Sequence, residues 1–269
     1  MHRLTLLYTN DMHNRLTPEA TDQIQRLKAQ EKNVLLLDAG DAVRAGNLGV
    51  TPWGESCLEM MGRAGYDVMT AGNRETHLWR WAVRAKTRQA DFPVLCANVS
   101  GPGVVAGMGE AVVPEALRAY AADGVLYRRY VVVRLPNGLR VAILGLTVPM
   151  VTATMSTHRL SQYLFQDPIE TAQALVPVLA RQADMVLALT HLGLEADREL
   201  ARRVPGIQMI VGGHSHELLQ EPEVVNGTVI LQAGCYAKYI GRAETVVENR
   251  RATVRASLLP LPKSAKDSR

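Results

Sequence analysis

Cysteine is scarce in this chain. Cys57, Cys96 and Cys235 are the only three among 269 residues, an odd count at unrelated spacings, which argues against a disulfide framework and for a reducing compartment. Long apolar runs are lacking too, since no window approaches the ~20 residues needed to cross a bilayer. The short run Leu4 to Leu7 passes into Asn10-Asp11 without a small-residue cleavage site, so it reads as a first strand and not as an export signal. A cytoplasmic location is therefore expected. Blocks of like charge are missing as well: 30 Lys and Arg against 26 Asp and Glu leave a net charge of +4, spread along the chain without the footprint of a nucleic-acid polymer site. That mild excess suits small anionic substrates. No repeat of solenoid length and no linker interrupt the sequence, so one domain is the economical reading.

What is present is a soluble globular composition, 47% hydrophobic and 21% charged. Strand, polar loop and helix alternate. Strands are expected at Leu4 to Thr9, Asn33 to Leu37, Tyr66 to Ala71, Phe92 to Ala97, Met185 to Thr190 and Ile207 to Val211. Helices are expected at Ala20 to Gln30, Gly54 to Arg63, Trp81 to Arg88, Glu195 to Arg203, and from Asp167-Pro168, where Asp caps and Pro starts the first turn. This is the pattern of βαβ units around a mostly parallel sheet, in which ligands gather where strands end. Asn137-Gly138 marks a hairpin between Tyr127–Leu135 and Leu139–Leu146, a second and antiparallel component. Thr228 to Gln232, Arg242 to Glu248 and Ala252 to Leu258 read as late strands. Ser100 to Asp123 reads as a surface excursion with one short helix, and Pro260 to Arg269 as a fraying tail.

The histidines are not scattered. Of seven, five (His13, His77, His191, His214 and His216) follow strand-like runs in the company of Asp, Asn or Gly. His214 and His216 lie in Gly212-Gly213-His214-Ser215-His216, where glycines permit a sharp turn and the one-residue spacing aims two imidazoles at neighbouring points. Taken alone, a His-x-His reads more readily as a pair of loop histidines bonded to backbone or water. With Asp11, His13, Asp41, Asn73 and His191 from other strand ends, it becomes a set of seven donors, enough for two ions sharing one carboxylate. Imidazole mixed with carboxylate selects borderline divalent ions such as Mn²⁺, Fe²⁺, Co²⁺ or Zn²⁺, whereas an all-oxygen set would favour Mg²⁺ or Ca²⁺. Two such ions about 3.5–4 Å apart can activate a bridging water and stabilise the attacking and leaving oxygens of a phosphoryl transfer.

In this order, Asp11-x-His13, Gly40-Asp41, Gly72-Asn73-x-Glu75, His191 after a strand and Gly213-His214-x-His216 resemble the motifs of the calcineurin-like metallophosphoesterases. Tyr8-Thr9-Asn10-Asp11-Met12-His13 and Thr190-His191-Leu192-Gly193 are similar to the catalytic domain of the 5′-nucleotidase and UDP-sugar hydrolase branch. The resemblance implies an α/β fold, a four-layer α/β/β/α sandwich with two central mixed β-sheets flanked by helices, over residues 1–259. It also implies that Asp11, His13, Asp41 and His216 hold one ion and Asp41, Asn73, His191 and His214 the other, with Asp41 bridging.

The chain departs from that family in two places. Arg74 stands where most members carry a His that assists the leaving group, and His77 stands where they carry an Asp. One reading has Arg74 clamping the phosphate while His77 does the proton work; the other has Arg74 in a structural ion pair and His77 capping a helix. As a second departure, these residues are expected to act without the C-terminal nucleotidase domain that would supply the base-binding aromatics, and a broader phosphoester range, or a partner or homo-oligomer completing the pocket, is expected with it. Arg44 and Tyr236 are weaker substrate-binding candidates. Asp38 reads as a supporting partner, and at least one of Trp79 and Trp81, which cannot share a helix face, is expected in the core. The resulting expectation is a dinuclear phosphoester hydrolase acting on nucleotide-like phosphomonoesters or diphosphates through a metal-bound hydroxide. The alternatives are a phosphodiesterase on the same metal pair, or a metal- and phosphate-binding module with little turnover because of Arg74.

Overall fold

The computed structural model describes residues 1–107, 114, 117, 118 and 124–262. Its strands are β1 His2–Thr9, β2 Val34–Asp38, β3 Val68–Thr70, β4 Val94–Leu95, β5 Val99–Ser100, β6 Val104–Val105, β7 Tyr127–Arg128, β8 Tyr130–Arg134, β9 Arg140–Thr147 and β10 Leu164–Phe165. After these come β11 Met185–His191, β12 Met209–Val211, β13 Glu223–Val225, β14 Thr228–Leu231, β15 Tyr239–Glu248 and β16 Arg251–Pro260. The α-helices are α1 Pro18–Ala29, α2 Ser56–Ala64, α3 Arg80–Thr87, α4 Pro168–Gln182 and α5 Leu194–Arg203. An eight-stranded sheet runs β16-β15-β1-β2-β3-β4-β7-β6, a six-stranded sheet runs β13-β14-β12-β11-β9-β8, and β10 pairs with β5 apart from both.

Both large sheets are mixed. β1 to β4 are parallel to one another, as are β9, β11, β12 and β14, while β15, β16, β8 and β13 pair antiparallel. The parallel strands are buried on both faces, which accounts for their unbroken apolar runs. Leu6, Leu35 and Leu37 meet Ile143, Leu187 and Val211 between the sheets in one apolar cluster. On the outer face of the first sheet, Leu7 and Leu36 pack under Ile24 of α1 and Leu58 of α2. On the outer face of the second, Leu144 and Ala188 pack under Val176 of α4 and Leu200 of α5. The four layers are thus helix, sheet, sheet and helix. Caps fix the helix starts: Thr17 accepts from Ala20 N at 3.1 Å, and Asp167 accepts from Ile169 N and Glu170 N.

Several elements differ from the sequence expectation. The run Tyr127–Leu135 is not one strand: β7 joins the first sheet and β8 the second, the chain crossing between them at Arg129. Alternation cannot show this, because both halves bury apolar side chains. The hairpin at Asn137-Gly138 exists, closed by Leu135 N to Leu139 O at 2.8 Å, with positive φ only at Gly138. The Phe92–Ala97 strand contracts to Val94–Leu95. The tail does not fray at Pro260, which pairs with Tyr239, and Leu261 is buried; residues 263–269 lie outside the described residues. Most of the expected excursion helix between Ser100 and Asp123 lies outside them as well. Neither Trp79 nor Trp81 enters the core. They are 43% and 61% exposed and stack on each other, because Trp79 is the extended cap residue of α3 and escapes helical spacing.

Candidate metal centre

Because the central strands of each sheet are parallel, their C-terminal ends open toward the same edge of the sandwich, and the donors arrive there on five loops, with a sixth beside them. β1 delivers Asp11 and His13, β2 delivers Asp41, and the loop after β3 delivers Asn73 and Arg74. From the second sheet, β11 ends in His191, and β12 leads into His214 and His216. The sixth loop, after β14, carries Tyr236, whose amide donates to Asp11 O at 2.8 Å. These turns demand unusual backbone. Asp11, His13, Asp41, His214 and His216 all have positive φ, a conformation that costs a side-chain-bearing residue about 1–3 kcal/mol and persists where the surroundings enforce it.

All seven sequence-predicted donors meet. His13 Nε2 lies 3.1 Å from His216 Nε2, and His216 Nε2 lies 3.2 Å from Asp11 Oδ1. On the other side, His191 Nε2 is 3.2 Å from Asn73 Oδ1 and 3.5 Å from Asp41 Oδ1, and the His191 and His214 ring centroids are 5.0 Å apart. Two groups of donors each converge closely enough to hold an ion: Asp11, His13 and His216, and Asp11, Asp41 and His191. Asp11 is common to both, whereas the resemblance gives the bridge to Asp41. The fit to cations is direct. Asp11 Oδ1 and His13 Nδ1 are buried without a hydrogen-bond partner among the described residues, a cost that a coordinated ion would remove at Asp11 Oδ1. The remaining oxygen of Asp11 is held by His214 N and Asn10 Nδ2, both at 2.8 Å.

The electrostatics agree with that fit. Burial works against a charged His191, yet the neighbouring Asp41 and Asp11 carboxylates outweigh it and lift its pKa to about 9. Positive charge is drawn to this point. His13 is held below its ordinary value by burial and by Arg74, and His214 by burial and by His191, which biases both toward the neutral form that ligates. His191 is oriented through Nδ1, 2.7 Å from Ala39 O. Asp38 is a buried support, accepting from Thr9 Oγ1 at 2.7 Å and Gly40 N at 2.9 Å.

Outside the donors, a cavity of about 340 Å³ is lined by His13, Asn14, Arg15, Arg44 and Arg74. Arg44 and Arg74 both line this cavity, while Arg74 also makes the acid contact of its alternative, ion-paired reading. Arg74 Nε lies 3.5 Å from Asp41 Oδ2, its amide donates to Asp41 Oδ1, and its Nη1 donates to Arg44 O. Asn14 and Arg15 were missed; the signal was their position immediately after His13 on a donor loop. His77 is not brought to this wall. Its Nδ1 accepts from Trp79 N at 3.2 Å, its Nε2 faces Leu48 O, and its ring packs beside Trp79 and Trp81. The geometry favours a loop-ordering role for His77 over that of an acid. Tyr236 borders the donors, its ring 5.3 Å from that of His13 and 5.6 Å from that of His216.

Residues 4–218 match the calcineurin-like phosphoesterase family. Among characterised proteins, the chain is 32% identical to the trifunctional nucleotide phosphoesterase YfkN of Bacillus subtilis, over 92% of this chain and 18% of that protein. It is 30% identical to a 5′-nucleotidase of Diplobatis ommata, over 89% of this chain and 45% of that one. Among solved structures, a 5′-nucleotidase precursor from Thermus thermophilus superposes with a TM-score of 0.76 at 29% identity, covering 97% of this chain and 55% of its own. The chain thus spans under half the length of these two curated relatives.

Proposed function

This chain belongs to the calcineurin-like phosphoesterase family, and from that membership we propose that it is a phosphoester hydrolase working with two divalent ions on nucleotide-like phosphomonoesters or diphosphates. The observation that carries this reading is the convergence of Asp11, His13, Asp41, His191 and His216 into two donor groups, with Asn73 against His191 and the His214 ring beside it, at the edge of an arginine-walled cavity. By their positions in the family motifs, Asp11, His13, Asp41 and His216 would hold one ion and Asp41, Asn73, His191 and His214 the other. Ions bound there would supply an activated water and Lewis-acid stabilisation of charge on the phosphoryl oxygens.

The chain's own residues do the rest. Arg44 and Arg74 bind and orient the phosphoryl oxygens from the cavity wall, Arg74 fixed by its contacts to Asp41 and Arg44. Because a guanidinium keeps its protons, Arg74 stabilises charge and transfers no proton. Tyr236, beside the His13 and His216 rings, lies where the organic part of a substrate would pass. We take residues 1–259 as the catalytic unit and a cytoplasmic setting as its place of action. Among the described residues, no helix is long and apolar enough to cross a membrane.

The test is hydrolysis of an aryl phosphate, nucleoside mono- and diphosphates and a cyclic nucleotide by metal-stripped protein reconstituted with Mn²⁺. Metal-dependent turnover of the monoesters or diphosphates supports the reading, and preference for the cyclic diester supports the phosphodiesterase alternative. Two equivalents of Mn²⁺ bound without turnover of any substrate would instead mark a binding module.

A further inference from the structure

Lys86 lies on α3 with its side chain pointing inward, and only 1% of it reaches solvent. Its Nζ is 2.7 Å from Arg74 O, 2.8 Å from Gly46 O, 2.9 Å from Thr76 O and 3.0 Å from Asn47 O. An ammonium has three N–H groups, so four carbonyls at these distances make a coordination shell and exceed one hydrogen bond per donor. Without the cation, four carbonyl dipoles would converge with no donor between them, that of Thr76 in a buried setting. Burial pulls the Lys86 pKa down to about 8, but Glu75, Glu55 and Asp41 hold its charge in place.

The four carbonyls belong to two loops. Gly46 and Asn47 follow Arg44 on the loop between β2 and α2; Arg74 and Thr76 lie on the loop between β3 and α3. A side-chain bond from Asn73 Nδ2 to Asn47 Oδ1, at 2.8 Å, joins the same loops nearer the donors. Arg74 is consequently pinned on both sides of its peptide chain, by Asp41 Oδ1 at its amide and Lys86 at its carbonyl.

We infer that Lys86 is a positioning residue: its ammonium ties the Arg44 loop to the Asn73–Arg74 loop, and thereby sets Asn73 and Arg74 against Asp41. Its consequence for turnover rests on the hydrolase reading above; its consequence for loop order and ion binding does not.

The experiment compares the full chain with Lys86→Met, which keeps an unbranched stem and removes the charge, and with Lys86→Ala, which leaves room for an added amine. Mn²⁺ affinity is read by calorimetry, inorganic phosphate affinity by the same method, and loop order by amide hydrogen exchange. In Lys86→Met, exchange should rise in residues 42–55 and 72–79 but not in 212–216, and the weaker of the Mn²⁺ equivalents should lose about 10–100-fold in affinity, as when a supporting partner of a ligand is removed. In Lys86→Ala, n-propylammonium should restore exchange protection and ion affinity, whereas tetramethylammonium, which has no N–H, should not. Unchanged exchange in both loops of Lys86→Met overturns the inference, and so does recovery of Lys86→Ala by both salts alike. If Lys86→Ala does not fold, the Lys86→Met exchange pattern decides alone. Absence of turnover in the native chain would overturn the hydrolase reading while leaving these binding and exchange outcomes intact.

Discussion

The two sheets bring their donors to the same edge by different physical means. In the first sheet's loops the ordering is ionic. Glu75 collects the amides of Gly72, Asp41 and Val43 at 2.8–3.1 Å, Glu55 accepts from Arg44 N, Ala45 N and Thr51 Oγ1, and Lys86 gathers carbonyls. In the second sheet's loops the ordering is steric and neutral. A Cβ on Gly213 would lie 2.9 Å from Ala39 O and 3.0 Å from both Asp11 Oδ2 and His191 Nδ1, and one on Gly212 would lie 2.1 Å from Asp197 Oδ2. Gln232 Nε2 and Gly193 N both reach Gly213 O at 3.0 Å, with Ser215 closing the turn. Close backbone approach limits both sheets' loops, since a Cβ on Gly72 would lie 2.3 Å from Asp41 Oδ1; the long loops of the first sheet, which must meet at a distance, add buried charged side chains to it.

That contrast can be broken in order of expected effect. Asp41 serves the donor set itself, so Asp41→Asn should lower metal-dependent hydrolysis by more than the ~10–100-fold that a supporting residue costs, as read by steady-state kinetics. Gly213→Ala should cost the second sheet's side both function and fold, at about 1–3 kcal/mol from overpacking, as read by denaturant unfolding. Glu75→Gln tests the ionic side. Glu75 rests near pKa 7 because burial and Asp41 push it up, and a Gln would keep one acceptor oxygen but turn its NH2 toward at least one of the three amide N–H groups, weakening Mn²⁺ binding about 10–100-fold.

The last test is of stability against pH and turns on Asp197, which bonds Thr190 Oγ1 and is raised by burial to about 7. In the unfolded chain its pKa returns to about 4. Between these values the folded chain keeps a proton that the unfolded one has lost, so stability falls as pH rises from about 4 to about 7 and is level above. Asp197→Asn should flatten this slope in apo-protein melts, giving a relative gain at pH 8 and none at pH 4. An equal change at both pH values would show that the carboxyl is not held neutral.

The donors were legible because strand-end loops in a parallel sheet print their residues at intervals, and Asp11, Asp41, His191 and the His214 turn each follow a visible apolar run. The layered fold was legible for the same reason. What escaped depends on contacts distant in sequence. The sheet change at Arg129 hides inside a continuous apolar run, and Lys86 looks like any helix cation on a solvated face. His77 shared the pattern of the donors, but its two nitrogens are engaged within its own part of the fold by Trp79 N and Leu48 O. Backbone strain at Asp11, His13, Asp41, His214 and His216 was invisible as well, because none of these positions carries the glycine that would announce it.

The stacked pair Trp79 and Trp81 has an optical consequence. With Trp53 they are the only tryptophans in the chain; Trp53 sits in the loop that follows Asp41, the pair beside the loop that carries Asn73 and Arg74. Ultraviolet emission excited at the red edge of the absorption band therefore comes from the ionically ordered side of the molecule alone. Rearrangement of the Gly212–His216 turn would pass almost unseen, while slackening of the Asn73–Arg74 loop would shift the spectrum. The protein carries a one-sided fluorophore, able to report in real time when the Asn73–Arg74 side of its site moves as an ion or an anion arrives.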